Sequence, residues 1–147
     1  MLALPDESAT LALGAALAGP AKRGAVIALH GPLGAGKTTL ARGFIRALAG
    51  ADEEVVSPTF TLVQIYDAPT PIWHFDLYRL DKPEDVLELG LEEALAAAIT
   101  VIEWPERLGR LLPADRLDVT LSAQGTGRQA EIVYRGVGDS PWRNVKL

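Results

Sequence analysis

The segment Gly31-Pro32-Leu33-Gly34-Ala35-Gly36-Lys37-Thr38 satisfies the pattern G-x-x-x-x-G-K-[ST], whose backbone amides can cradle a phosphate chain. Glycines at 31, 34 and 36 permit positive φ and a close approach of the main chain to an anion. The amides of Gly34, Ala35, Gly36 and Lys37 can form a nest at the start of the next helix, where the macrodipole favours negative charge. Lys37 is then placed to reach the β- and γ-phosphates of a nucleotide. The Thr38 hydroxyl is placed to ligate Mg²⁺, which takes few protein oxygens and keeps phosphate oxygens and water. Thr39 is less constrained. The competing reading is a plain glycine turn carrying a solvated lysine.

Two carboxylates are candidates to work beside this loop. Glu103 ends the apolar run Ile99 to Ile102, and ligands of open α/β sheets bind beyond the carboxyl ends of strands. There a carboxylate can ligate Mg²⁺ or order a water. Asp76 shares one face of the segment Ile72 to Tyr78 with His74 and Tyr78, while Trp73, Phe75 and Leu77 share the other. For each carboxylate a merely solvated position is the alternative. A lone histidine usually satisfies a local hydrogen bond, which is the expectation for His30 and His74. Ser57-Pro58-Thr59 lies where nucleotide switches place a hydroxyl that senses the γ-phosphate, although an ordinary turn before a strand accounts for the same residues. Trp104 and Pro105 can wall the site, and Trp73 is assigned to the core.

The elements that must position these groups are legible from periodicity. Ala25 to His30 is a short apolar run suited to a buried parallel strand. Thr38 to Ala49 has helical spacing, with Leu40, Ala41, Phe44, Ile45 and Leu48 on one side, Arg42 and Arg46 on another, and Gly50 as the stop. Asp6 to Leu17 predicts a first helix capped by Asp6 and ended before Gly19-Pro20. Phe60 to Tyr66 and Ile72 to Tyr78 predict a strand hairpin. Asp81 to Glu84 predicts a helix start with Glu84 in a capping box, and Leu91 to Ala98 a further short helix. Ile99 to Ile102 is a candidate central strand. Arg116 to Ser122 and Gln129 to Tyr134 predict a closing hairpin across Gly125-Thr126-Gly127. The last dozen residues carry no pattern and are expected to be poorly ordered. The whole predicts an α/β fold of P-loop NTPase type, a mixed sheet with parallel central strands, antiparallel additions and flanking helices.

Composition narrows the function classes. At 147 residues and 48% hydrophobic, the chain can bury one sizeable core, and residues 1–147 are expected to form a single domain. It has no cysteine, which removes disulfides and thiolate metal sites, and its two histidines are too few for a histidine metal cluster. No apolar run reaches the length of a membrane span, and no leader pattern opens the chain, so a soluble, cytoplasmic protein is expected. The net charge of −5 argues against broad autonomous nucleic-acid binding. Contact with RNA is expected to be local or through a partner.

Taken together, the motifs resemble one family. Leu4-Pro5-Asp6-Glu7 with Thr10, the loop His30 to Thr39, Ser57 to Val63, His74 to Leu80 and Glu103-Trp104-Pro105 occur in the order seen in the bacterial TsaE family. The likeness runs through Pro105 and then thins to the Gly127-Arg128 turn. It implies the small ATPase component of the machinery that makes N6-threonylcarbamoyladenosine in tRNA, working with a TsaD-type catalytic subunit and its TsaB-type companion. It implies ATP and Mg²⁺ as cofactors, Thr38 and Glu103 as metal ligands, and Asp76 in support of hydrolysis. Thr10 and Trp104 are implied as neighbours of the nucleotide. Pro32 departs from an acidic residue frequent in the family loop, which leaves the phosphate amides intact. The expected device is an ATP-dependent gate, slow alone and stimulated by its partners. The alternatives are a small-metabolite kinase with Arg107, Arg110 and Arg116 as a lid, and a nucleotide-sensing scaffold that does not hydrolyse.

Overall fold

The apolar run before the glycine loop becomes a strand with a parallel neighbour on each side. The computed structural model describes residues 1–136 and 140–143. Along the chain the elements are β1 (Leu2–Leu4), α1 (Glu7–Ala18), β2 (Val26–His30), α2 (Lys37–Ala49), β3 (Val63–Tyr66) and β4 (Ile72–Asp76). They continue as α3 (Asp85–Glu88), α4 (Leu91–Ala97), β5 (Ile99–Glu103), a 3₁₀ helix (Pro105–Leu111), β6 (Arg116–Gln124) and β7 (Gly127–Arg135). Among the described residues seven strands form one sheet in the order β1-β7-β6-β2-β5-β4-β3. Strands β6, β2, β5 and β4 are mutually parallel. Strand β3 pairs antiparallel with β4, β7 with β6, and β1 with β7. The mixed sheet is thus the expected one, with antiparallel additions at both edges.

Two apolar layers hold the sheet. Ile27, Leu29, Val101, Leu117, Val119 and Leu121 pack with Leu13 and Leu17 of α1 and Leu40 and Phe44 of α2. On the opposite face Val26, Phe75 and Ile102 pack with Val86, Leu91, Ala94 and Leu108. Burial on both faces is why β5 is buried at every position and does not alternate apolar with exposed polar residues. Helix α1 starts as its sequence predicts, with Asp6 Oδ1 accepting from the Ala9 amide at 2.8 Å. It lies backbone to backbone on α2: a Cβ at Gly14 would stand 2.2 Å from the Leu40 carbonyl oxygen, and one at Gly43 2.2 Å from that of Leu11.

Several local expectations are corrected. β3 begins at Val63, because Leu62 takes φ 68° and breaks the extended run, leaving Phe60 82% exposed in the preceding turn. β4 ends at Asp76, where the chain turns as the Leu77 amide bonds the Glu103 carbonyl at 3.1 Å. Glu84 forms no capping box; it is itself in helical conformation and its side chain caps nothing. β1 and the 3₁₀ helix carry no expectation from the sequence. Within the last dozen residues Trp142 is fully buried, its indole N–H donating to the Val26 carbonyl at 3.0 Å. Residues 137–139 and 144–147 of that stretch lie outside the described residues.

Candidate functional site

The site forms where the C-terminal ends of β2, β4 and β5 meet the N-terminus of α2. Gly31, Gly34 and Gly36 all take positive φ, at 140°, 78° and 100°. At Gly31 a side chain is also impossible for want of room, since a Cβ would stand 2.5 Å from the Leu121 carbonyl oxygen of β6. Gly36 is the left-handed N-cap of α2, and among the described residues no side chain caps that helix. An uncapped helix N-terminus behind a left-handed glycine suits an anion. Of the four amides expected to face it, that of Ala35 turns inward, donating to the Pro32 carbonyl at 3.1 Å.

Lys37 is buried beneath the loop. Its ammonium donates to the Gly31 carbonyl and lies 3.4 Å from the centroid of the Trp104 ring. Burial pushes this ammonium below its ordinary pKa, and the negative charges of Glu103, Glu106 and Asp76 oppose that push. Trp104 reaches the lysine because its backbone is left-handed, with φ 59°, which starts the 3₁₀ helix and swings the indole across the mouth. The Tyr78 ring packs against it at 4.9 Å.

Glu103 and Asp76 are register partners at the ends of the parallel strands β5 and β4. Both are buried, at 2% and 5% exposure, so neither is the solvated strand-end carboxylate that the sequence left open. The Thr38 hydroxyl donates to Glu103, 2.9 Å from Oε1 and 3.2 Å from Oε2. His74 Nε2 lies 2.6 Å from Glu103 Oε2. Asp76 Oδ2 accepts from the Thr59 hydroxyl at 3.0 Å, which lies 2.8 Å from the Ser57 hydroxyl, and its Oδ1 accepts the Tyr78 amide at 3.1 Å. Ser57 and Thr59 are therefore tied to the carboxylate cluster. The chain entering them is held by Tyr66, whose phenol oxygen accepts the Val56 amide at 3.1 Å. Burial raises the pKa of that phenol.

One cavity of about 260 Å³ is lined by Gly36, Lys37, Thr38, Asp76, Glu103 and Trp104. A second, of about 190 Å³, is lined by Leu4, Thr10, Thr39, Gly127 and Arg128. Thr39 and Arg128 line both. Thr10 is buried and reaches the second cavity because the glycine contacts draw α1 onto α2. Sequence reasoning missed Arg128 as a site residue. Its Nε would lie 2.7 Å from a Cβ at Gly36, which puts the guanidinium against the glycine loop. The signals for it were its place beside the Gly125-Thr126-Gly127 turn and the thin family likeness at Gly127-Arg128. His74 was expected to satisfy a local hydrogen bond; its bond instead reaches across the sheet to Glu103, a candidate metal ligand 29 residues further along the chain. Arg116 is engaged elsewhere, by Asp118 at 2.9 Å and the Pro113 carbonyl at 3.0 Å, which weighs against a lid role.

Among the described residues no group of three or more histidines and carboxylates could hold a metal alone. Thr38 and Glu103 instead form a pair of hard oxygen donors, suited to a cation that keeps other oxygens from a phosphate ligand. Again among the described residues, no helix is long and apolar enough to cross a membrane.

A glycine loop between a parallel strand and a helix, with a buried carboxylate on the adjacent strand end, defines a P-loop NTPase-like α/β protein. The family described as Threonylcarbamoyl adenosine biosynthesis protein TsaE fits residues 4–131. A tRNA threonylcarbamoyladenosine biosynthesis protein TsaE of Rickettsia bellii is 43% identical over 80% of this chain and 83% of its own. That of Bacillus subtilis is 38% identical over 92% of this chain and 83% of its own. The crystal structure of YdiB from Bacillus subtilis superposes with a TM-score of 0.75 at 31% identity, covering 89% of this chain and 82% of the other. The chain belongs to the TsaE family.

Proposed function

We propose that the chain is the ATP-binding and hydrolysing subunit required for N6-threonylcarbamoyladenosine modification of tRNA. In this reading it acts in the cytoplasm, gates or resets a TsaD-type catalytic subunit with its TsaB-type companion, and meets tRNA indirectly. The observation that carries the reading is the Thr38–Glu103 pair lying directly behind an uncapped, glycine-led helix N-terminus. Bound ATP with Mg²⁺ would supply a γ-phosphoryl group open to attack by water, with the metal offsetting its charge. Gly34, Gly36 and Lys37 would hold the polyphosphate through their amides, and the Lys37 ammonium, now on the Gly31 carbonyl, would supply positive charge to it. Thr38 and Glu103 hold the metal. Thr10, Thr39 and Trp104 flank the nucleotide.

Asp76 acts through what it restrains. The Thr59 hydroxyl donates to Asp76, and the Ser57 hydroxyl is paired with that of Thr59, so the groups able to orient a water are engaged with one another. The isolated subunit therefore turns over slowly, and a partner that rearranges residues 57–59 accelerates it. A gate of this kind requires the partner to bind the ATP and ADP states with different affinity.

The test is reconstitution of tRNA modification with both partner subunits, comparing the natural chain with Lys37→Ala and Glu103→Ala. Both variants are expected to lose multiple turnover. Sustained turnover by Lys37→Ala, or full ATPase activity of the natural chain without partners, would overturn the proposal.

A further inference from the structure

We infer that His74 is a positioning residue for Glu103, fixing which way that carboxylate presents its oxygens to a divalent cation held with Thr38. The inference rests on the metal role proposed above for Thr38 and Glu103, and it adds a residue to which that role is not assigned.

His74 lies in the middle of β4, opposite Val101 of β5, two positions before the Asp76–Glu103 pair. The period of two in a strand puts His74 and Asp76 on the same face. The imidazole is completely buried. Its two nitrogens are unequal: Nε2 lies 2.6 Å from Glu103 Oε2, while Nδ1 has no hydrogen-bond partner among the described residues. A carboxylate only accepts, so Nε2 carries the hydrogen and donates. A donor buried solely for one carboxylate oxygen, with its other nitrogen unsatisfied, is an arrangement a purely apolar side chain would fill at lower cost.

The consequence for Glu103 is directional. Thr38 approaches both carboxylate oxygens, with the shorter contact to Oε1, and His74 claims Oε2 from beneath. When the Thr38 hydroxyl turns to a cation, His74 remains the group that keeps Oε2 anchored and the side chain in its rotamer. Groups that orient a metal ligand in this way typically change metal affinity about 10- to 100-fold when removed.

The experiment measures metal linkage rather than turnover. A fluorescent ADP analogue is titrated into the natural chain, His74→Gln and His74→Asn, in excess EDTA and over a series of Mg²⁺ concentrations. Gln can present an amide N–H near the position of Nε2. Asn holds its amide nearer the main chain, short of Glu103. His74→Asn is expected to bind the analogue in EDTA within about twofold of the natural chain, because the loop amides are untouched, but to lose about 10- to 100-fold in Mg²⁺ affinity. His74→Gln is expected to recover most of that loss, and in a Glu103→Gln background His74→Asn should add little. A merely structural histidine would lower the melting temperature of both variants and leave the Mg²⁺ linkage equal between them. That result would overturn the inference while the natural chain still bound nucleotide with Mg²⁺. Binding of the analogue by the natural chain that is unchanged by Mg²⁺, or no binding in either condition, would overturn the metal reading itself.

Discussion

Replacing Gly43 by alanine sets two effects of known sign against each other. Gly43 is buried in the middle of α2, where alanine is favoured over glycine by about 1 kcal/mol of helix propensity. The new Cβ would stand 2.2 Å from the Leu11 carbonyl oxygen and 2.9 Å from its carbon, whereas ordinary contact begins at 3.4 Å. The obstacle is helix backbone, which cannot rotate aside as a side-chain tip can, so α1 and α2 must separate. Overpacking of this kind costs about 1–3 kcal/mol, and a backbone obstacle belongs at the upper end. The clash wins, with a net loss of about 2 kcal/mol, or a melting point lower by about 4–8 °C for a chain of this size. Gly14→Ala meets the Leu40 carbonyl oxygen at the same 2.2 Å and should behave alike. The double variant should lose less than the sum, because one separation relieves both contacts. Gly19→Ala is the control: its backbone is already helical and its Cβ would meet only the Ala16 oxygen at 3.4 Å, so stability should hold or rise. Thermal melts followed by circular dichroism read all four. A Gly43→Ala melting point at or above that of the natural chain would refute the packing argument.

Asp118 carries the clearest pH prediction. Burial alone would raise its pKa, but hydrogen bonds from Arg116, His30 and Arg135 outweigh burial and hold the carboxyl below its usual range. A depressed folded-state value contributes stability above the unfolded value of about 3.9, lost as pH falls through the folded one. Melting points between pH 7 and pH 3 should therefore fall more steeply for the natural chain than for Asp118→Asn. Trp142→Ala removes a fully buried indole and leaves the Val26 carbonyl without its donor; urea unfolding should show a loss of about 3–5 kcal/mol. Phe60→Ser changes a side chain that is 82% exposed, so stability should stay within about 0.5 kcal/mol. If residues 57–60 dock on the partner subunits, the same variant should weaken partner-stimulated ATP turnover in the reconstituted system.

What the sequence disclosed, and what it withheld, divides by how far apart the interacting residues lie. The loop from Gly31 to Thr38, the Asp6 cap and the strand ending in Glu103 are local patterns, fixed by glycine conformation, capping and apolar periodicity. β1 is three residues long, too short for any period to emerge, and it exists because β7 offers it an edge. β3 loses its first three predicted residues because alternation cannot register that Leu62 adopts a left-handed backbone, whose amide is taken by the Pro58 carbonyl.

The same division explains the site. Glu103 and Asp76 could be nominated one at a time from their strand ends, but their pairing depends on β4 lying parallel to β5 in a register that aligns residues 27 apart. Arg128 arrives at Gly36 only because β6 and β7 form a hairpin beside β2, and no local feature of Gly127-Arg128 announces a destination. His74 is the sharper case. Its residue type suggested a satisfied hydrogen bond, which is what the fold provides, and the chemistry lies wholly in the identity of the acceptor. A histidine bonded to a main-chain carbonyl and one bonded to Glu103 look identical in sequence. They differ in whether removing the imidazole frees a carboxylate that Thr38 also holds, and that difference is set by strand register, two residues from the end of β4.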